Sequence, residues 1–299
     1  MLLWMMTSNN KLLINYLGDA VIYSSDLAIL ESPTAWLNSD IIHFWFLRLK
    51  NGGGESDDDD AGNLKIDDCL LLDPAVISFI MHQLDESDKD YEDEVSNLMS
   101  TWNLEQQQRR IFLPINDEYG SSSLSYTQGQ QQASGSHWSL LLVDIAMSAA
   151  APPVDTTQQH NNVTMPEIKF YHCDSHRGYN QFAAQAVANK VKRVFLKHYS
   201  TGDNDSTAAT VNVTECQVPQ QSNGFDCGLY TLGFAEALLR LSNDNPCGGS
   251  RNKNDGLLKI SIETAIASYM SDMGGLNFAS NLRKRIRDDI HKLAVEHSN

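Results

Sequence analysis

The run Trp138-Ser139-Leu140-Leu141-Leu142-Val143-Asp144-Ile145-Ala146 constrains this chain more than any other stretch. It is nearly continuous in apolar residues, the pattern of a strand buried on both faces. Companion strands are predicted at 110–116 (RIFLPIN), at 167–173 (EIKFYHC) by its alternation, and at 211–218 (VNVTECQV). Helices are available to cover such a sheet. Residues 181–199 carry Val187, Val191, Val194, Phe195 and His198 on one stripe. A helix from about Asn38, after a turn at Pro33, turns Ile41, Ile42, Trp45 and Leu49 inward. A short helix is predicted over 74–83, and an apolar helix starts at Cys227 with Asp226 as a candidate N-cap. Helical pattern returns across 257–295.

These elements imply one α+β domain over 1–299, a central mixed or antiparallel sheet flanked by helices, with its core at about 26–240. Residues 1–24 read as a poorly patterned lead-in, and the acidic segment 84–94 as exposed. The stretches 51–63, 118–134 and 148–166 are rich in Gly, Ser, Gln, Asn or Asp and are expected to be disordered loops, with a further polar loop at 200–210.

A net charge of −16 argues against a nucleic-acid partner, which requires basic patches, and suits a partner with a basic surface or tail. No apolar run is long enough to span a bilayer, so no membrane partner is expected. The apolar start MLLWMM lacks a basic n-region and does not read as a signal peptide. The odd count of five cysteines, without CxxC pairs, argues for reduced thiols and an intracellular location, in cytoplasm or nucleus.

Three short segments carry chemistry: Gly135-Ser136-His137-Trp138 leading into the buried strand, Tyr171-His172-Cys173-Asp174-Ser175-His176 at a strand end, and Gln221 to Gly228 ahead of a helix. A thiol becomes a strong nucleophile only as thiolate, a form favoured by a helix N-terminus and by a neighbouring imidazolium. Cys227 would have the first from its own helix and the second from His137. Asp174 would hold His137 in one tautomer, and the Gln221 amide would join the Cys227 backbone N–H in an oxyanion hole. His172, Asp174 and His176 also suggest a metal site, but strand alternation sets the two histidines two pleats apart, unlike a helical i, i+4 pair. No metal or cofactor is expected.

At these residues the sequence resembles the sentrin-specific (Ulp/SENP) cysteine proteases, which cleave ubiquitin-like modifiers and share the order His, Asp, Gln, Cys. Four segments carry the resemblance, in order, from about Asp26 to Gly233. They are Trp36-Leu37-Asn38 with Ile41-Ile42, then Phe112 to Asp117 followed by Gly135 to Leu140, then Tyr171 to His176, and Gln221 to Gly228. Each is weak alone, and together they are specific. The resemblance implies an Ulp/adenain-like fold, with Cys227 as nucleophile, His137 as base and acid, Asp174 as its orienting group and Gln221 in the oxyanion hole. It further implies that Trp36 and Trp138 form a narrow tunnel over a Gly-Gly tail, with Asn38 and Ser39 beside it as substrate-binding residues. The F-L-x-I-N-D and D-S-H segments point to the deneddylase branch, so the implied partner is the neddylation modifier and its conjugates.

The family carries Asp where this chain has Ser39, the acid here following at Asp40, and the 148–166 stretch is an insertion. SUMO or ubiquitin therefore stay open as substrates. Two further readings also stay open: acetyl transfer, performed by clan relatives with a His-acid-Cys order, and a non-catalytic modifier-binding module.

Overall fold

A computed structural model of the chain describes residues 10–52, 69–85, 87–102, 110–120, 137–146, 167–199, 211–244 and 255–296. Its centre is a five-stranded sheet of β3 (Cys69–Leu71), β4 (Arg110–Asn116), β5 (Trp138–Ala146), β6 (Glu167–Cys173) and β7 (Val213–Glu215), in that spatial order. The inner pairs β4/β5 and β5/β6 are antiparallel, and the outer pairs β3/β4 and β6/β7 are parallel. The sheet is thus mixed, within an α+β architecture.

The central position of β5 explains its sequence. Alternate residues feed two separate cores, Leu140 and Leu142 on one face, Leu141, Val143 and Ile145 on the other. The first core packs under α2 (Ser39–Lys50), α6 (Cys227–Asp244), α7 (Asp255–Asp272) and α8 (Phe278–Glu296). The second packs under α3 (Pro74–His82), α4 (Tyr91–Trp102) and α5 (Gln181–Tyr199). Both faces are covered by helices, so the strand needs no polar side. Among the described residues no helix is long and apolar enough to cross a membrane.

Several sequence expectations are corrected. The lead-in contains a hairpin, β1 (Leu12–Tyr16) and β2 (Ala20–Tyr23), which buries Ile14, Tyr16, Ala20 and Ile22; its turn uses positive φ at Leu17 (57°) and Gly18 (76°). A helix α1 (Ser24–Glu31) precedes the Pro33 turn. The acidic 84–94 segment is not wholly exposed, because Leu84 and Tyr91 are buried. Tyr91 opens α4, which turns Val95, Met99 and Trp102 inward and leaves its acids outside. The core reaches from Ile14 to Ile290, beyond the 26–240 span. The strand expected over 211–218 is only three residues long, since it is a parallel edge strand that ends where the chain turns back toward Ser175. Most of 51–63 and 118–134, and all of 148–166 and 200–210, lie outside the described residues.

Candidate active site

Cys227 is the first residue of α6 and is fully buried. It is placed by close approach: a Cβ added at the next residue, Gly228, would lie 2.9 Å from Leu37 Cβ. The turn before it is wound around Asn223, whose Oδ1 accepts from the N–H groups of Phe225 (3.1 Å) and Asp226 (3.0 Å). Asp226 stands at the N-cap position, its carbonyl accepting from Tyr230 N–H. Its carboxylate, read from sequence as a cap, turns to Asn223 Nδ2 (2.8 Å) and to Arg283 Nη2 (3.2 Å). Arg283 also donates to the carbonyls of Ile29, Ser32 and Ala35. One buried guanidinium therefore ties the segment that delivers Trp36 to the turn that delivers Cys227.

His137 stands at the entrance to β5, and Asp174 directly follows β6. The β5/β6 register, with Leu140 opposite Cys173, brings these two ends together. His137 Nε2 lies 2.7 Å from Asp174 Oδ1, with both side chains buried. The Cys227 thiol hydrogen-bonds the same imidazole. Because Nε2 faces Asp174, Nδ1 is the ring nitrogen left for the thiol. Burial works against a charge on His137, but the hydrogen bonds to Asp174 and Cys227 outweigh it, and its pKa is raised from 6.5 to about 9. Burial likewise opposes the Asp174 carboxylate. The His137 bond and the backbone N–H groups of His176 (2.9 Å) and Asn180 (3.1 Å) prevail and hold its pKa below the usual range. The centre is thus built to hold an imidazolium against a carboxylate.

Tyr179 packs on the His137 ring at 4.8 Å between centroids and stacks on His176 at 5.3 Å. The neighbouring Cys173 is a poor rival nucleophile, since its hydrogen bond with Cys216 and its burial push its pKa well up. The residues that suggested a metal site have other partners: His172 bonds Glu215 and Ser139, and Asp174 bonds His137. Among the described residues no cluster of His, Cys, Asp or Glu is suited to a metal ion.

Gln221 is fixed at both ends of its amide. Oε1 accepts from Ser175 Oγ (2.6 Å), and Nε2 donates to Asn223 O (2.6 Å). One amide hydrogen remains beyond the Asn223 bond. Trp138 is buried and donates from its indole to Leu37 O (3.0 Å). Trp36 is 46% exposed and donates to Gly224 O (2.7 Å), which lays it over the turn before Cys227. Ser39 is exposed at the start of α2. Asn38, expected beside the substrate, is the N-cap of α2: its Oδ1 accepts from Ile41 N–H (3.1 Å) and its Nδ2 donates to Asp26 (2.8 Å). Ser175 stands inside the D-S-H segment, but no role was read for it there. Tyr179, Asn180 and Arg283 were not read as site residues: the first two follow that segment in an ordinary turn-rich stretch, and Arg283 lies some fifty residues beyond the recognisable motifs.

Comparison with known proteins now adds to this geometry. The family described as "Ulp1 protease family, C-terminal catalytic domain" matches residues 75–247, more than half of the chain and all four of His137, Asp174, Gln221 and Cys227. The chain belongs to the Ulp1 protease family. This Ulp1-family cysteine protease is 29% identical over 246 residues to the probable sentrin-specific protease 8 of Dictyostelium discoideum, covering 80% of this chain and 81% of that one. It is 28% identical to sentrin-specific protease 8 of Homo sapiens (74% and 79% covered) and 26% identical to NEDD8-specific protease 1 of Arabidopsis thaliana (83% of each). A crystal structure described as a de-sumoylating protease shares the fold with a TM-score of 0.56 at 17% identity, covering 97% of this chain and 93% of that one.

Proposed function

We propose that this protease hydrolyses the bond after the C-terminal Gly-Gly of a ubiquitin-like modifier, releasing it from substrate lysines, and that its preferred modifier is that of neddylation. The observation that carries the reading is the buried chain Asp174–His137–Cys227, with the imidazole pKa raised to about 9. A neighbouring imidazolium is the setting that makes a thiol a strong nucleophile.

In this reading the Cys227 thiolate attacks the carbonyl carbon of the modifier's last glycine. The developing oxyanion receives the Cys227 backbone N–H, at the N-terminus of α6, and the remaining Gln221 amide hydrogen. His137 then gives its proton to the lysine nitrogen, the C–N bond breaks, and a thioester remains. The neutral imidazole next takes a proton from water. The resulting attack splits the thioester, releasing the modifier carboxylate and restoring the thiolate and imidazolium. Asp174 keeps its charge throughout and fixes the ring. Trp36, over the Gly224 turn, and Trp138, beside Leu37, flank the path of the tail, where side chains larger than glycine would collide with indole. Ser39, exposed at the start of α2, meets the modifier in this reading.

The preference for the neddylation modifier rests on the F-L-x-I-N-D and D-S-H segments and on the name of the Arabidopsis relative, NEDD8-specific protease 1. Ser39, where the family carries Asp, favours keeping SUMO and ubiquitin as a second reading. A panel of modifiers bearing a C-terminal electrophile tests both. Labelling by the neddylation modifier alone, absent in Cys227→Ala, supports the proposal. Labelling by SUMO or ubiquitin keeps the chemistry and replaces the substrate. Absence of labelling by the whole panel refutes the proteolytic reading and leaves acetyl transfer or binding alone.

A further inference from the structure

The catalytic pair stands on a second layer of polar residues that the reaction itself does not use. Asn180 sits at the N-cap position of α5, its carbonyl accepting from Ala184 N–H at 2.9 Å. A cap asparagine ordinarily turns its side-chain oxygen to the first N–H groups of its helix. This one is 1% exposed and turns its amide nitrogen inward, to Ser139 Oγ (3.0 Å), Ile115 O (3.2 Å) and His137 O (3.2 Å). Its Oδ1 is buried and has no partner among the described residues. The opposite flip would press that oxygen against two carbonyl oxygens, so the observed orientation is the one the surroundings permit. Leaving a buried acceptor without a donor is unfavourable, and the three contacts of the nitrogen offset it.

The line continues across the sheet. Ser139 Oγ lies 2.9 Å from His172 Nε2, and His172 Nδ1 lies 2.9 Å from Glu215 Oε1. The directions are mutually consistent: Asn180 donates to Ser139, Ser139 donates to His172 Nε2, and His172 Nδ1–H donates to Glu215. Ser139, His172 and Glu215 stand on the adjacent strands β5, β6 and β7, with His172 paired directly to Glu215. At its other end Asn180 reaches both catalytic groups. Its backbone N–H binds Asp174 Oδ2 (3.1 Å), while its side chain binds the His137 carbonyl.

We propose that Asn180, Ser139, His172 and Glu215 form a brace, buried up to its half-exposed Glu215 end, that sets the mutual orientation of His137 and Asp174, with Asn180 as its principal positioning residue. The proposal rests on the assignment of His137, Asp174 and Cys227 as the reacting centre. None of the four touches the scissile bond. They act by holding the imidazole within the narrow range of positions that keeps Nε2 on Asp174 and Nδ1 on the thiol. The remaining groups facing His137 are Cys227 of α6, Asp117 from the turn after β4, and His176 and Tyr179 beyond β6. Of these, Asp117 binds the His137 backbone N–H at 3.2 Å and leaves Asp174 to the brace.

The test compares the full chain with Asn180→Ala and Ser139→Ala. Two readings are taken: turnover of a modifier–lysine conjugate, and the pH dependence of Cys227 alkylation by iodoacetamide. Alkylation reports the imidazolium–thiolate pair without reference to any modifier. In Asn180→Ala the alkaline limb of alkylation is expected to fall from about 9 toward the ordinary histidine range, with kcat down about tenfold or more and KM within about twofold. Ser139→Ala should shift both readings the same way by a smaller amount, and it decides alone if Asn180→Ala does not fold. An unmoved limb and unchanged kcat in a folded variant overturn the brace, since a merely structural role would lower only the melting temperature. A limb that moves in a protein cleaving no modifier conjugate upholds the brace and refutes the substrate reading instead.

Discussion

Replacing Asp174 by Asn tests the centre most directly, because the substitution removes a charge and hardly changes the shape. His137 is raised from 6.5 to about 9 against the opposing effect of its own burial, with Asp174 ahead of Cys227 among the causes that raise it. A displacement of that size corresponds to roughly 3 kcal/mol favouring the imidazolium, at about 1.4 kcal/mol for each tenfold. At pH 8 a group titrating near 9 is about nine-tenths protonated, whereas one titrating near 6.5 is about 3% protonated, a loss of roughly thirtyfold in the ion-paired form. The wrong tautomer adds a further loss in turnover. The assay is the rate of Cys227 alkylation from pH 5 to 10, read by mass spectrometry on the Cys227 peptide so that the buried Cys69, Cys173 and Cys216 do not contribute. Wild type should show an alkaline limb near 9, and Asp174→Asn a limb well below it. A limb that stays near 9 in the variant would falsify the assignment of Asp174 as the group that charges His137.

The same pair predicts a pH window for stability. The raised pKa of His137 contributes fully below 6.5, and the contribution is lost as pH rises through about 9. The lowered pKa of Asp174 contributes above 3.8 and is lost as pH falls through its depressed value. The melting-temperature gap between wild type and Asp174→Asn should therefore be widest between those two limits, narrowing toward alkaline pH.

Cys227→Ala should abolish turnover and keep modifier binding, measured by calorimetry; residual turnover would remove the nucleophile assignment. Arg283→Ala strips the charged partner from Asp226, whose side chain is 13% exposed, and the donor from three carbonyls, so a loss of about 3–5 kcal/mol in urea denaturation is expected. A loss under about 1 kcal/mol would show that the Trp36 segment is held by other means. In Gly233→Ala the new Cβ would lie 2.1 Å from Phe278 Cζ, so α6 and α8 must part, at about 1–3 kcal/mol in the same assay. Unchanged stability would contradict that close packing. Ser39→Asp should sharpen preference for the neddylation modifier over SUMO in competition labelling, and unchanged ratios would detach residue 39 from selectivity.

What was legible in the sequence followed local periodicity. The strands β4, β5 and β6 and the helices α3 and α5 lie where apolar alternation or a helical stripe placed them, because each buries one recurrent set of side chains. The hairpin β1–β2 was legible in principle, through the alternation of Ile14 with Tyr16 and Ala20 with Ile22 around Gly18. The stripe of α4 at Tyr91, Val95, Met99 and Trp102 was also present, hidden by its acids.

The chemical types at the centre are equally local. A cysteine opening an apolar helix, a histidine entering a buried strand and an aspartate leaving another can be read from the chain and from its resemblance to a known family. Their common location cannot. The β5/β6 register makes His137 meet Asp174, and the packing of Gly228 against Leu37 sets Cys227 in its place. The sequence by itself determined the elements and the reactive groups, since these depend on neighbours within a turn or a pleat. Only the tertiary structure decided that Asn38 caps a helix, that Asp226 pairs with Arg283, and that Asn180 turns its amide under His137 and Asp174. Each of these polar side chains has several satisfactory partners available in an unfolded chain. Burial removes water as the alternative and leaves one set of donors and acceptors within reach.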